Sequence, residues 1–325
     1  MTDDNLDLLA LGRISVDLYA LETGASFLEP QTFVKSIGGS PSNVAVAAAR
    51  LGLRSAIVTA VGADPLGEYV IAKLGELGVQ TQYVTIRDHG RTPVVMVALE
   101  DPAEPNITFL RDRDAPDTTI HGDAVDGDVV TACRVLWTSG ATLAAGATAT
   151  TAMRWLELRG RRPHTVLDLD FRPSLWPDPS AAHAAAARAI ALSTVVIGNR
   201  AECAMALGTA DPQQAADALL AQGVTTAVVK MGAEGVLVAT ADERLVIEPV
   251  PVSARCGSGA GDAFGGAFAA GLVHGWSLAR AGWLANASGA LVTSRLTCAD
   301  AMPTLAELED FAGDAPSATQ SVSYG

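Results

Sequence analysis

Short apolar runs alternate along the chain with stretches whose apolar residues recur at helical spacing. The runs at 6–11, 56–61, 135–137, 165–169, 194–197 and 227–230 are bounded by Gly, Asp or Asn, as strands buried on both faces are. Between them, 42–51, 65–77, 147–158, 213–221, 260–274 and 278–291 are compatible with helices. Asp64 followed by Pro65 gives one of these a cap and a first-turn proline, and Gly78 stops it. Repeated βα units of this kind predict an α/β fold, a mostly parallel sheet with helices on both faces.

Two stretches break the rhythm. Residues 14–37 and 91–110 alternate apolar and polar positions without a helical period, as in Val94-Val95-Met96-Val97-Ala98-Leu99 and Asn106-Ile107-Thr108-Phe109-Leu110. They read as antiparallel strands inserted into the α/β body. A small sheet over one end of the core makes either a lid that excludes water or a surface that joins two copies into a homodimer, and one sheet can do both. The expected organisation is a single domain over 1–312, with lid strands from about 14–37 and 91–113 and a flexible tail over 313–325.

Composition narrows the partners. With 325 residues, 49% of them hydrophobic, the chain can bury a large core. A net charge of −14 argues against a nucleic-acid partner, because phosphate backbones need clustered Lys and Arg. Cys133, Cys203, Cys256 and Cys298 form no Cys-x-x-Cys pair, so neither a zinc site nor a disulfide framework is indicated. The acidic start Met1-Thr2-Asp3-Asp4 lacks a signal peptide's basic segment, and no apolar run reaches membrane-spanning length. A cytoplasmic, reduced protein with no membrane partner is expected.

The candidate chemistry sits late in the chain, in Gly257-Ser258-Gly259-Ala260-Gly261-Asp262, which runs directly into a helix-compatible stretch. Glycines let backbone approach a ligand, and the first amides of a helix lack intrahelical partners, so the run suits an anion. Asp262 would repel a phosphate, which makes sense if it accepts a proton from an attacking hydroxyl. Taken alone, the hexapeptide reads equally as a Gly-rich helix entry with a dipole-favoured acid. No Gly-Lys-Ser/Thr occurs, so a P-loop is excluded, and the spacing lacks the third glycine of a dinucleotide fingerprint. A second cluster, Gly38-Gly39-Ser40-Pro41-Ser42-Asn43, combines close-approach glycines with a side-chain amide that could serve a polyol or simply begin a helix.

Together these segments resemble the ribokinase or PfkB family of sugar kinases over nearly the whole length. The matching pieces occur in order: Gly38 to Ala45, Gly62-Ala63-Asp64-Pro65-Leu66-Gly67, Asn199-Arg200-Ala201-Glu202, Lys230-Met231-Gly232-Ala233-Glu234-Gly235 and Gly259-Ala260-Gly261-Asp262. The resemblance implies a ribokinase-like fold with a small β-sheet lid, and ATP with Mg2+ as cofactors. It makes Asp262 the catalytic base and the amides of Gly259, Ala260 and Gly261 the anion hole. Asp17, Gly39 and Asn43 would hold sugar hydroxyls. Lys230, Gly232, Gly235, Ser258 and Asn286 would flank the nucleotide, and Asn199 and Glu202 would place the magnesium, mostly through water.

Departures from the family pattern carry further expectations. Cys256 and Ser258 stand where relatives carry an acid and a threonine of a monovalent-cation site, which makes such a cation doubtful, since a thiol is a poor ligand for potassium. Asp168-Leu169-Asp170-Phe171-Arg172-Pro173 replaces the usual Asp-x-Asn-x-Arg. That run, the opening Gly12 to Tyr19 and the closing Ser294 to Thr304 resemble the sugar-acid kinases of inositol catabolism, which phosphorylate 5-dehydro-2-deoxygluconate at its terminal hydroxyl. A sugar acid needs a counter-charge, and Arg13, Arg111, Arg113 and Arg172 are the candidates; each could instead pair with a nearby acid such as Asp112 or Asp114. Other sugar or sugar-acid substrates, such as fructose or 2-keto-3-deoxygluconate, share the machinery, as would a silent sugar-binding regulator.

Overall fold

The computed structural model describes residues 5–313 and 320–321. The chain lays down β1 (Leu8–Leu11), leaves the main sheet for β2 (Ser15–Thr23) and β3 (Phe33–Gly38), and returns through α1 (Ser40–Arg50) to β4 (Ser55–Gly62). Helix α2 (Pro65–Glu76) leads to β5 (Val84–Arg87), and a second excursion makes β6 (Val94–Leu99) and β7 (Asn106–Leu110). The α/β alternation resumes with α3 (Gly127–Ala132), β8 (Val135–Ser139), α4 (Gly146–Arg159), β9 (Thr165–Asp168), α5 (Pro179–Leu192), β10 (Val195–Asn199), α6 (Arg200–Leu207), α7 (Pro212–Ala221) and β11 (Thr226–Lys230). Then β12 (Val236–Ala239) and β13 (Arg244–Ile247) double back before α8 (Ala260–His274), α9 (Leu278–Thr293) and α10 (Leu305–Ala312).

Ten strands form the main sheet in the order β14-β13-β12-β11-β10-β9-β8-β1-β4-β5, where β14 is Gln320–Ser321. From β5 to β11 every pairing is parallel, and from β11 to β14 every pairing is antiparallel. All eight residues of β4 are buried, as a strand covered on both faces requires. Alternate residues divide between two cores. Leu8 and Ala10 face one with Trp137 and helices α1, α8 and α9, whereas Leu9 and Leu11 face the other with Trp155 and Leu156. No helix among the described residues is long and apolar enough to cross a membrane.

The two excursions meet in a separate four-stranded sheet, β3-β2-β6-β7. The expectation of purely antiparallel lid strands is corrected at its centre, where β2 pairs parallel to β6. Each hairpin is antiparallel within itself. A complete β4-α2-β5 unit separates the two hairpins and returns the chain to the end where β2 began, which fixes the parallel register.

Two boundaries differ from those the apolar pattern predicts. The first strand begins at Leu8 rather than at 6, and α1 begins at Ser40, with Pro41 in its first turn. The tail expected over 313–325 lies outside the described residues apart from Gly313 and the Gln320–Ser321 pair. That pair adds antiparallel to β13.

Candidate functional site

The site lies where the parallel strands end, as in other open α/β sheets. Asp168 ends β9, Asn199 ends β10 and Lys230 ends β11, and all three face the start of α8. Helix α8 approaches closely because its turn carries no side chains at the crossing. A Cβ on Gly265 would lie 2.6 Å from the Trp137 ring, and one on Gly266 would collide with Ala47 of α1. That crossing brings Asn43 of α1 to Asp262 of α8, whose Oδ2 accepts from Asn43 Nδ2 at 2.7 Å.

Gly259 caps α8 at φ 85, a left-handed conformation that favours glycine, and a Cβ there would sit 2.5 Å from Cys298 Sγ. Gly259 therefore presents backbone alone, next to first-turn amides of α8 that a helix leaves without intrahelical acceptors. Burial is the main force raising the Asp262 carboxyl to a pKa of about 6; the Asn43 amide opposes the shift and the nearby Asp170 charge adds to it. An acid with that pKa is ionised at neutral pH and still able to hold a proton.

Three cavities adjoin the start of α8; Asp262 lines the first two, and Ala260 and Gly261 line the third. The first lies under the lid, with Asp17, Gly39, Ser40 and Asn43 on one wall, Ile107 and Phe109 as its roof, and Arg13, Arg111 and Arg172 around it. Asp17 is buried, accepts from Ser15 Oγ at 2.6 Å and Tyr19 Oη at 3.3 Å, and is raised to a pKa of about 6, chiefly by burial. Gly38, opposite Ser15 in the β2–β3 ladder, leaves the space Asp17 occupies, because a Cβ there would overlap its carboxylate. The Oδ1 of Asn43 is buried without a hydrogen-bond partner among the described residues, so this wall keeps polar capacity for a ligand.

The arginines divide. Arg111 donates to the fully buried Asp117 at 2.5 Å, and Asp117 also accepts from Ile14 N at 3.1 Å. Its partner is thus neither Asp112 nor Asp114. The Arg13 side chain makes no hydrogen bond or ion pair among the described residues, although burial and the adjacent Arg111 lower its pKa to about 10. Arg113 is exposed and lines none of the three cavities.

The second, central cavity gathers Asp168, Asp170, Arg172, Asn199, Glu202, Lys230 and the 257–262 turn. Asn199 and Glu202 are engaged with each other in a capping box. Glu202 Oε2 accepts from Asn199 N at 2.7 Å, and Asn199 Oδ1 from Glu202 N at 2.9 Å. Lys230 Nζ lies 3.6 Å from Asp168 Oδ1. Burial disfavours the charge on Lys230, yet Asp168, Glu202 and Asp262 together hold it above the usual lysine value. Burial pushes Asp168 up, with Lys230 opposing. No group of three His, Cys, Asp or Glu among the described residues is arranged to hold a metal by itself.

The third cavity opens beyond Lys230, between Gly232, Gly235, the 249–254 loop, Phe264 and Asn286. Asn286 Nδ2 donates to Glu248 O at 2.9 Å and Ile247 O at 3.4 Å, so it braces the loop after β13 as well as lining the wall.

Apart from Arg113, every residue expected at the site from sequence lines at least one of these cavities. Missed were Asp117, Tyr19 and Cys298. Tyr19 Oη donates to Cys298 Sγ at 2.8 Å, and Cys298 Sγ in turn reaches Ser258 Oγ at 3.4 Å, linking a lid strand to the glycine turn. Tyr19 and Cys298 fall within the opening and closing runs, but nothing in the sequence paired them. Cys256 packs with Tyr19, Val95, Val97 and Leu99 in an apolar cluster, a setting unsuited to a hard cation.

A family model described as pfkB family carbohydrate kinase matches residues 5–305. Among curated proteins, 5-dehydro-2-deoxygluconokinase of Bacillus thuringiensis (strain Al Hakam) is 32% identical over 319 residues, covering 95% of each chain. The 5-dehydro-2-deoxygluconokinase of Geobacillus kaustophilus (strain HTA426) is 30% identical over 313 residues, covering 94% of this chain and 93% of its own. Among solved structures, fructokinase from Vibrio cholerae O395 in its fructose, ADP and calcium ion bound form aligns with a TM-score of 0.83 at 26% identity, covering 94% of this chain and 98% of that one. Fructokinase with bound ATP from Xylella fastidiosa aligns with a TM-score of 0.81 at 24% identity, covering 94% and 97%.

Proposed function

The chain belongs to the pfkB family of carbohydrate kinases, phosphotransferases that act on a sugar hydroxyl, and from that premise we propose that it uses ATP to phosphorylate the terminal hydroxyl of the sugar acid 5-dehydro-2-deoxygluconate. The observation that carries the choice of a sugar acid is Arg13, a cation without a protein partner among the described residues, in the cavity that also holds Asp17 and Asn43. A half-buried, unpaired guanidinium matches a carboxylate better than a neutral polyol. The names of the relatives at 30% and 32% identity favour the same substrate.

In this reading the acceptor lies under the lid against Asp17, Gly39 and Asn43, the polyphosphate in the central cavity and the adenosine in the third. Ile107 and Phe109 roof the acceptor and keep water from it. Asp262 accepts the hydroxyl proton while the amides of Ala260 and Gly261 face the phosphoryl oxygens. The carboxylate of Glu202 is a hard oxygen donor that fits a magnesium ion bound largely through water and phosphate. Glu202 and Asn199 would orient its water shell, and the ion would offset phosphate charge. A potassium site at Cys256 is not part of the proposal.

An ATP-consumption assay across sugar acids and neutral sugars tests the substrate. Turnover of 5-dehydro-2-deoxygluconate well above fructose is expected, with Arg13→Ala raising KM for the acid about tenfold and leaving KM for a neutral sugar unchanged. Preference for a neutral sugar, indifferent to Arg13, would overturn it.

A further inference from the structure

Arg172 differs from the other arginines in where it stands. It lines both the lid cavity and the central cavity, and among the described residues it is the one Lys, Arg or His shared by those two. Lys230 occupies the matching position between the central and third cavities. Each seam along the path from acceptor to nucleotide therefore carries one cation.

The way Arg172 is held leaves it free to act. Its Nε donates to Asp170 Oδ1 at 2.9 Å, while its two terminal nitrogens meet no protein acceptor among the described residues. The pair is uneven: the Asp170 side chain is 7% exposed and that of Arg172 53%. A buried acid thus grips the guanidinium by its inner nitrogen and turns the outer donors to the cleft.

Asp170 is itself fixed at a cost. Its φ is 27, in the left-handed region where a non-glycine residue is strained. The preceding Leu169 is clamped: a Cβ on Gly198 would lie 2.6 Å from Leu169 Cδ1, and one on Gly140 would collide with Leu169 O. Leu169 N also donates to Ile197 O at 2.8 Å. Such a conformation persists only where its surroundings over-determine it.

We propose that Arg172 is a catalytic residue that contacts the phosphoryl group in transit between the two cavities, and that Asp170 is the positioning residue that aims it, leaving the acceptor's carboxylate to Arg13. The reaction forms a bond from the acceptor hydroxyl oxygen to the γ-phosphorus and breaks the bond from that phosphorus to the β–γ bridging oxygen, while the hydroxyl proton passes to Asp262. Arg172 exchanges no atom. Its outer donors meet the charge that the transition state spreads over the equatorial oxygens. The inference rests on the kinase reading but not on the identity of the sugar.

Steady-state kinetics of the 325-residue chain tests it, using whichever sugar turns over best. Arg172→Ala is expected to lower kcat by about 10²- to 10³-fold while KM for the sugar changes less than about threefold, and guanidinium ion in the buffer should restore part of kcat. Asp170→Asn keeps the backbone strain and loses the charge, whereas Asp170→Gly relieves the strain and loses the grip. Both should lower kcat less than Arg172→Ala does.

The two positions should also move the acid limb of the kcat/KM profile in opposite directions. Besides Asp170 and Arg172, Asp262 faces Asn43 from α1, Asp17 from β2, Asp168 and Lys230 from the strand ends, and Cys298. With these unchanged, losing Asp170 moves the limb to lower pH and losing Arg172 moves it to higher pH. A rise in KM for an acidic sugar with kcat intact would make Arg172 a carboxylate ligand and overturn the proposal, as would an unchanged kcat. Arg172→Lys guards against misfolding. If its unfolding temperature matches the wild type, its kcat should still fall, since the lysine lacks the inner nitrogen that Asp170 holds, and a wild-type kcat would refute the geometry.

Discussion

Asp17 and Asp262 share one physical condition and serve different ends. Each is raised to a pKa of about 6, mainly by burial, against roughly 4 in an unfolded chain. Between those values the folded chain binds more protons than the unfolded one, so stability falls as pH rises and the penalty of the buried charge is fully present above about 6. Asp17→Asn should therefore be more stable to unfolding than wild type at pH 7.5, by on the order of 1–3 kcal/mol, with the advantage gone near pH 4. A variant less stable than wild type at pH 7.5 would contradict that sign. The same substitution should weaken sugar binding. Asp262→Asn should retain binding of ATP and sugar and lose about 10²- to 10⁴-fold in kcat, the usual weight of a general base. In the wild type, kcat/KM should climb through about pH 6 as Asp262 loses its proton; a flat profile from pH 5 to 8 would count against its role.

At the scale of elements, the entry of α8 and the lid are the parts whose change should be felt most. Gly259→Ala would force a methyl group against Cys298 Sγ at positive φ, so kcat should collapse even though the substitution adds one carbon. Measured unfolding would separate this from global loss of structure. Ile107 and Phe109 lie on β7, an edge strand of the lid, and roof the acceptor. Replacing both with Ser should raise the ratio of ATP hydrolysed to sugar phosphorylated, because water then reaches the transferring group. An unchanged ratio would remove the lid from that task.

These elements were unequally legible in the sequence. The bounds of α8 were readable from the glycine turn and the apolar run that follows it, and the buried strands from their unbroken apolar runs. The β2–β6 parallel pairing was not, because it depends on where a whole βαβ unit returns the chain. Helix α5 escaped because its alanines carry little periodicity, and the short β12–β13 hairpin because four-residue strands give little pattern. Asp117 sits in an Ala-Pro-Asp turn with no chemical signature, and only the fold brings it to Arg111.

Over the whole molecule, the three cavities behave as one groove with shared walls. Ile107, Asp170, Arg172, Ser258, Gly259 and Asp262 line both the lid and central cavities. A ligand that orders them in one cavity lowers the entropy the other must surrender, so sugar should tighten binding of a non-hydrolysable ATP analogue, and the analogue should tighten sugar binding by the same factor. Calorimetry with each ligand alone and in the presence of the other measures this, and equal affinities would show that the walls are already rigid.

The order in which the chain lines the groove has a consequence for how such a protein diversifies. Most of the lid cavity comes from residues up to Leu175, with only Ser258, Gly259, Asp262 and Cys298 added from the later part. The third cavity is the reverse, built from Lys230 onward with Ala103 as its sole early contribution. With acceptor and nucleotide placed as proposed, changes confined to the early segment would alter which acceptor is admitted while the energy-supplying half stays intact, and an exchange of that segment between relatives would transplant a preference without rebuilding an engine.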